Sequence, residues 1–228
     1  MTEHPEEQIF DDWPEKYDRW FTTPIGSLVG RYERELVLDL LKPRAGEFIL
    51  DAGCGTGVFT LDFVQAGSRI TGLDISLPML LRARTKTTGS PFDPILGDIL
   101  ALPFGDNVFD KAVSVTAFEF IEDGRAAVRE LFRVTRKGGS IVVATLNSLS
   151  PWAEMRKRKT SEGHPIFQKA IFRSPEELLS LAGGSGIAKV AIYFRKDDDP
   201  ERAVEIEMEG QKKNLETGAF IAARWIKT

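Results

Sequence analysis

The amino-acid sequence predicts an α/β fold, a mostly parallel sheet with helices on both faces, and three observations carry that reading. First, Phe48 to Asp51 is a short apolar run ending in an acid, and three glycines at alternate positions, Gly53, Gly55 and Gly57, follow it at once. Such a run reads as a strand buried on both faces that turns sharply into a helix. Second, apolar runs of similar length recur at Arg69–Asp74, Phe92–Gly97, Lys111–Val115 and Ile141–Thr145, most of them separated by stretches of helical length. Third, acids stand at the ends of the first three runs, at Asp51, Asp74 and Asp98. A parallel sheet would bring those ends to one edge, where open α/β sheets bind ligands.

Composition sets bounds on this picture. With 228 residues, 42% hydrophobic and 28% charged, the chain is expected to form a single domain around one core. A net charge of −4 gives no electrostatic footprint for nucleic acid, and the basic cluster Arg156–Lys159 reads as a solvated helix face. The sole cysteine, Cys54, excludes an internal disulfide and suits a reducing cytoplasm. Its place inside the glycine turn favours a small packing residue over a nucleophile. Two histidines, His4 and His164, make a zinc site improbable. No apolar run has the roughly 18 residues of a membrane span, and the acidic start Met-Thr-Glu-His-Pro-Glu-Glu is unlike a signal peptide, so a cytoplasmic protein is expected. Nothing in the sequence addresses oligomeric state.

Taken in order, Phe10, Trp13, Tyr17, Trp20 and Phe21 recur at helical steps and predict a helix with an aromatic face. Gly26 to Leu41 is an amphipathic helix, with Leu28, Tyr32, Leu36 and Leu40 on one stripe and Pro43 beyond its end. After the first strand and its turn, a helix is expected from about Val58 to Ala66. Ser76 caps another, with Pro78 in its first turn. Asp123 caps a helix to about Thr135, and Lys137-Gly-Gly-Ser leads into the fifth strand. Asn147 to Phe172 is the least patterned region. Ser174-Pro-Glu-Glu177 is a capping box, and Ile187 to Arg195 reads as a sixth strand. Asp199-Pro-Glu starts a helix, although Val204, Ile206 and Met208 alternate as a strand would. Ala219 to Ile226 is a last strand, expected to run antiparallel to the sixth.

The glycine turn separates two kinds of nucleotide-binding loop. A dinucleotide fingerprint places a third glycine where this chain has Val58. The spelling Asp51-Ala-Gly-Cys-Gly-Thr-Gly57 resembles instead the first motif of the class I S-adenosylmethionine-dependent methyltransferases. Gly97-Asp-Ile99 resembles the adenine motif of that family, and Arg133-Val-Thr-Arg-Lys-Gly-Gly139 before the fifth strand resembles it also. Tyr17-Asp-Arg-Trp-Phe21, Thr23-Pro-Ile-Gly26 and Glu33-Arg-Glu-Leu36 resemble the N-terminal cap of a bacterial, type 11-like branch. The resemblance implies a Rossmann-like seven-stranded sheet with one antiparallel strand, divided as a cap (1–42), a cofactor-binding core (47–145), an acceptor-side insertion (146–182) and C-terminal strands (186–228).

It also implies S-adenosylmethionine as cofactor, S-adenosylhomocysteine as its product, and a small-molecule acceptor. Asp74 at the tip of the second strand can accept from both ribose hydroxyls, and Asp98 from the exocyclic amine of adenine. Ile75 and Ile99 would sandwich the ring, and Asp51 would hold the cationic amino end. Gly53, Cys54, Gly55, Met79 and Thr116 complete the expected cofactor contacts, with Tyr17 and Trp20 facing the sulfonium through their rings. For a proton on the acceptor, the candidates are Tyr17, Glu119 and His164. Family members often carry Glu-His where this chain has Glu119-Phe120, which removes the histidine best placed for a general base. Two other readings stay open, a non-catalytic cofactor-binding or scaffold protein on the same fold and, against Val58, an NAD-dependent oxidoreductase.

Overall fold

The computed structural model describes residues 10–161, 169–183 and 185–228. Its strands are β1 (Phe48–Ala52), β2 (Arg69–Asp74), β3 (Phe92–Leu96), β4 (Phe109–Val115), β5 (Thr135–Leu146), β6 (Gly186–Ala191) and β7 (Phe220–Ile226). They form one sheet in the order β3-β2-β1-β4-β5-β7-β6. β1 pairs in parallel with β2 and β4, as do β2 with β3 and β4 with β5. β7 is antiparallel to both β5 and β6. The expected fold class, a mostly parallel seven-stranded sheet with one antiparallel strand, is the one observed.

Side-chain alternation along the central strands explains the three-layer build. Ile49 of β1, Val113 and Val115 of β4, and Val142 and Ala144 of β5 enter one buried cluster. Leu50, Ala52, Ala112, Ile141 and Val143, at the intervening positions, enter the other. Helices therefore cover both faces, and a continuous apolar run is what such a strand requires. They are α1 (Pro14–Trp20), α2 (Pro24–Leu41), α3 (Thr60–Gln65), α4 (Leu77–Lys86), α5 (Gly124–Val134), α6 (Pro151–Ser161), α7 (Pro175–Leu179) and α8 (Pro200–Lys212). The expected caps are made: Ser76 accepts from Met79, Asp123 from Ala126, and Ser174 and Glu177 complete a reciprocal box.

Several expectations shift. The first aromatic helix is shorter, with Phe10 to Asp12 in a turn ahead of α1. The unpatterned region contains α6, anchored by Trp152 Nε1 donating to the Phe194 carbonyl at 2.7 Å. Arg156 leaves the solvated face: its guanidinium lies 5.2 Å from the Trp152 ring, and burial lowers its pKa to about 10. The sixth strand stops at Ala191 because Ile192 takes a φ of 69°, and Glu207 accepts the N–H groups of Ile192 and Tyr193 at 3.1 and 2.8 Å. Glu207 sits in α8, whose Asp199 cap prevails over the strand-like alternation. The alternating Met208 is left 66% exposed.

α2 buries an acid in its apolar stripe. Glu33 is 5% exposed beside Val29 and Val37, and burial raises its carboxyl pKa to about 8, opposed by Arg156 and Arg34 and reinforced by Glu119. Native Glu33 thus keeps a proton that the unfolded chain releases near 4.5. Stability falls as pH rises through that window, by about 1.4 kcal/mol per unit for a full proton. Glu33→Gln removes this slope. In urea titrations, the variant should match wild type near pH 5 and exceed it at pH 8 by roughly 1–3 kcal/mol; a parallel loss at both pH values would contradict the assignment.

A second expectation concerns α8. A Cβ on Gly210 would lie 2.1 Å from Cγ of the Tyr193 ring. Alanine gains about 1 kcal/mol of helix propensity, but overpacking costs about 1–3 kcal/mol. Gly210→Ala should therefore lower the urea midpoint, whereas a raised midpoint would show that the ring moves aside freely.

Candidate functional site

The strand order reverses between β1 and β4, and a crevice outside the C-terminal strand ends forms at such a reversal. A cavity of about 470 Å³ lies there, within the roughly 300–1,000 Å³ common for ligand pockets. Asp51, Asp74 and Asp98, from the ends of β1, β2 and β3, all line it.

The turn after β1 is held from below. The N–H groups of Gly53 and Cys54 donate to the Leu73 carbonyl at 2.6 and 3.0 Å. Gly53 has a φ of 76°, and a Cβ there would meet Ala117 Cβ at 2.5 Å. Gly55, with a φ of 52°, is different, because a Cβ there would meet nothing within 4 Å. Its backbone faces open cavity, so a ligand can lie directly against it.

Each acid has a distinct environment. Asp51 is 2% exposed and accepts from Thr60 Oγ1 at 2.6 Å, which pins the start of α3 to β1. Burial raises its pKa to about 7, Thr60 opposes the shift and Asp74 adds to it. Asp74 accepts from the Gly55 N–H at 2.8 Å through Oδ2 and from the Ser76 N–H at 2.9 Å through Oδ1. Burial raises its pKa, and those N–H bonds hold it down. Asp98 is exposed and caps the short 3-10 turn Ile99–Ala101 by accepting from the Leu100 N–H at 2.9 Å.

The other walls are largely apolar. Ile75, Met79 and Ile99 line the cavity beside the acids, as does Cys54. The Cys54 thiol is pushed well above its usual pKa by burial and by Asp51 and Asp74, so it is no thiolate nucleophile. Thr116 turns out of β4 with a φ of 52°, an uncommon conformation for a β-branched residue, and such strain concentrates at functional sites. Its hydroxyl lies 3.3 Å from the Tyr17 hydroxyl. Burial raises the Tyr17 pKa, which keeps the phenol protonated at neutral pH.

Some expected residues lie elsewhere. Trp20 does not line the cavity; its ring packs on the core, with Lys196 Nζ 4.7 Å from the centroid. Glu119 is also absent from the cavity wall, buried at 2% exposure with Thr145 Oγ1 donating to it at 2.9 Å. His164 lies outside the described residues. Conversely, Phe10 and Phe120 meet edge to face at 4.7 Å and both line the cavity. Arg173 braces this wall by donating to the carbonyls of Phe118 and Ile121 at 2.7 and 3.0 Å. The aromatic spacing at the N-terminus signalled Phe10, but nothing local signalled Arg173.

A family model described as a methyltransferase domain matches residues 50–143, from β1 into β5. The malonyl-[acyl-carrier protein] O-methyltransferase of Erwinia billingiae is 42% identical over 105 residues, covering 46% of this chain and 41% of that one. The chain spans about half the length of the curated relatives of this name that it matches. The demethylmenaquinone methyltransferase of Streptomyces avermitilis is 32% identical over 184 residues, 78% of this chain and 77% of that one. A solved SAM-dependent methyltransferase from Thermotoga maritima, described as a possible histamine N-methyltransferase, has a TM-score of 0.69 at 23% identity. That likeness covers 96% of this chain and 98% of the other, and it shows the fold. Given a relative of this identity matched over most of both chains, and the methyltransferase-domain match across the glycine turn, the chain belongs to the class I S-adenosylmethionine-dependent methyltransferase family.

Proposed function

We propose that this protein binds S-adenosylmethionine and transfers its methyl group to a small-molecule acceptor. One observation carries the reading: three strand-end acids and an open glycine turn face a single cavity. The residues present fit the cofactor. The space above Gly55 admits a ligand against the backbone, and each Asp74 oxygen, with one backbone N–H bound, keeps a lone pair for a ribose hydroxyl. Asp98 would accept from an adenine amine between Ile75 and Ile99, and Asp51 would pair with the cationic amino end; that all four line the cavity supports this.

When bound, S-adenosylmethionine supplies a methyl group already activated as a sulfonium. The protein's own task is alignment and exclusion of water, which contribute most where the leaving group is good. Tyr17, protonated and hydrogen-bonded near Thr116, orients the acceptor and offers its ring face to positive charge. It does not serve as the base in that state. Glu119 stands behind the wall with Thr145, a supporting rather than proton-accepting position. Named relatives act on a carrier-bound malonyl group and on demethylmenaquinone, so screening starts with a carboxylic acid and a quinol. No described helix is long and apolar enough to cross a membrane, and the described residues contain no metal-binding group of His, Cys, Asp and Glu. The buried free Cys54 suits a reducing cytoplasm.

Titration calorimetry tests the cofactor assignment. S-adenosylmethionine and S-adenosylhomocysteine should bind and NADH should not, while Asp74→Ala weakens both by roughly 10- to 100-fold, the scale of a charged hydrogen bond. Binding of NADH alone would overturn the reading. Because Asp51 must be ionised to pair with an amine, and its pKa is about 7, affinity should fall about tenfold from pH 8 to pH 6. Asp51→Asn should bind more weakly and lose that dependence. Release of S-adenosylhomocysteine in the presence of an acceptor would then identify the substrate.

A further inference from the structure

The charge inventory of the cavity is one-sided. Among the described residues that line it there is no lysine, arginine or histidine, while Asp51, Asp74, Asp98 and Glu122 all contribute carboxyl groups. The three aspartates have roles in the cofactor reading. Glu122, exposed and two residues beyond Phe120, has none.

The arginines near this wall are engaged elsewhere. Arg173 donates to the carbonyls of Phe118 and Ile121 at 2.7 and 3.0 Å, which spends its guanidinium on the backbone. Arg156 faces the charges of Glu119 and Glu33, and its guanidinium lies 5.2 Å from the Trp152 ring and 5.9 Å from that of Phe172. Neither arginine lines the cavity. An anionic group entering would therefore meet carboxyl groups and no described cation, and like-charge contact is costly where water is excluded. S-adenosylmethionine is itself a monocation, too little charge to reverse the sign of that wall.

The apolar part of the wall suits a flat ring. Phe10 and Phe120 meet edge to face at 4.7 Å. Tyr17 meets Phe21 in the same way at 5.3 Å, and Phe21 meets Phe59 at 6.4 Å. Phe10, Phe120, Tyr17 and Phe59 all line the cavity, so a ring entering it can pack edge to face or offset against several others.

We propose that the acceptor is an aromatic molecule carrying no negative charge, and that the cavity excludes carboxylate and phosphate acceptors. The inference deepens the function proposed above and rests on it for the reaction. Glu122 is the specificity residue, because it is the lining acid that the cofactor does not use.

Three naphthalene probes with one substituent position in common, naphthol, naphthylmethylammonium and naphthoate, test this by calorimetry on the full chain saturated with S-adenosylhomocysteine. Naphthol and the ammonium should each bind roughly tenfold or more tightly than naphthoate. Including the ammonium matters, since a merely apolar pocket would penalise both ions alike. Glu122→Gln should narrow the gap between the two ions severalfold and leave naphthol affinity unchanged, a change of charge preference that a structural role would not produce. Ile121→Lys, which places a cation on the wall, should close the gap. The fully reduced cyclohexyl analogue of naphthol's ring system should bind several times more weakly than naphthol. Naphthoate binding as tightly as the ammonium, or no binding of naphthol, overturns the proposal, as does release of S-adenosylhomocysteine with a carboxylic acid as acceptor. The same order of probes in a protein that binds no S-adenosylhomocysteine overturns only the cofactor reading.

Discussion

Asp74 joins two turns that are distant in sequence: its two oxygens accept the N–H groups of Gly55 and Ser76 at 2.8 and 2.9 Å. Glycines are expensive to order, because they lose more backbone freedom on folding than other residues. The carboxylate at the tip of β2 offsets that cost where the β1 turn most needs a fixed shape. Much else follows from it. With Gly55 held, Thr56 is presented to Asp18 and the open glycine face is presented to the cavity. With the Ser76 N–H held, the same residue can cap α4 and reach Asp11 with its hydroxyl.

The site also stores an electrostatic bias. Burial raises the pKa values of both Asp51 and Asp74, and a neighbouring acid adds to each, Asp74 for Asp51 and Asp11 for Asp74. A cavity in that condition gains from a cation, which relieves the repulsion between its acids. Glu33 and Glu119 form a second buried acidic pair around Arg156, behind Tyr17 rather than in the cavity. Burial is the main reason the Tyr17 phenol stays protonated, and these two acids add to it.

What was readable in the sequence was local. The glycine turn, the strand-end acids and the Ser76 and Ser174 caps depend on residues a few positions apart, so their chemistry is written in short strings. Periodicity was less informative where one helix serves two environments. Tyr17 and Trp20 share a spacing, yet one faces the cavity and the other packs on the core under Lys196. The Asp18 contacts with Arg82 and Lys86 span 64 and 68 residues, and no local pattern encodes a pairing of that range. Arg156 shows the reverse error of composition: a basic run reads as solvated, but Trp152 one turn earlier supplies an aromatic surface for its first member. Glu33 escaped notice because a charged residue within an apolar stripe looks like a boundary of the stripe rather than part of it.

We propose that the backbone around the glycine turn, together with the strand-end acids, is the ligand-binding surface. An amide NMR titration with S-adenosylhomocysteine tests it most directly. The largest shifts should fall on Gly55, Ser76 and Leu100, the amides bonded to Asp74 and Asp98, with Thr116 following. Shifts confined to α6 through α8, or saturating binding that leaves these four amides unmoved, would contradict it.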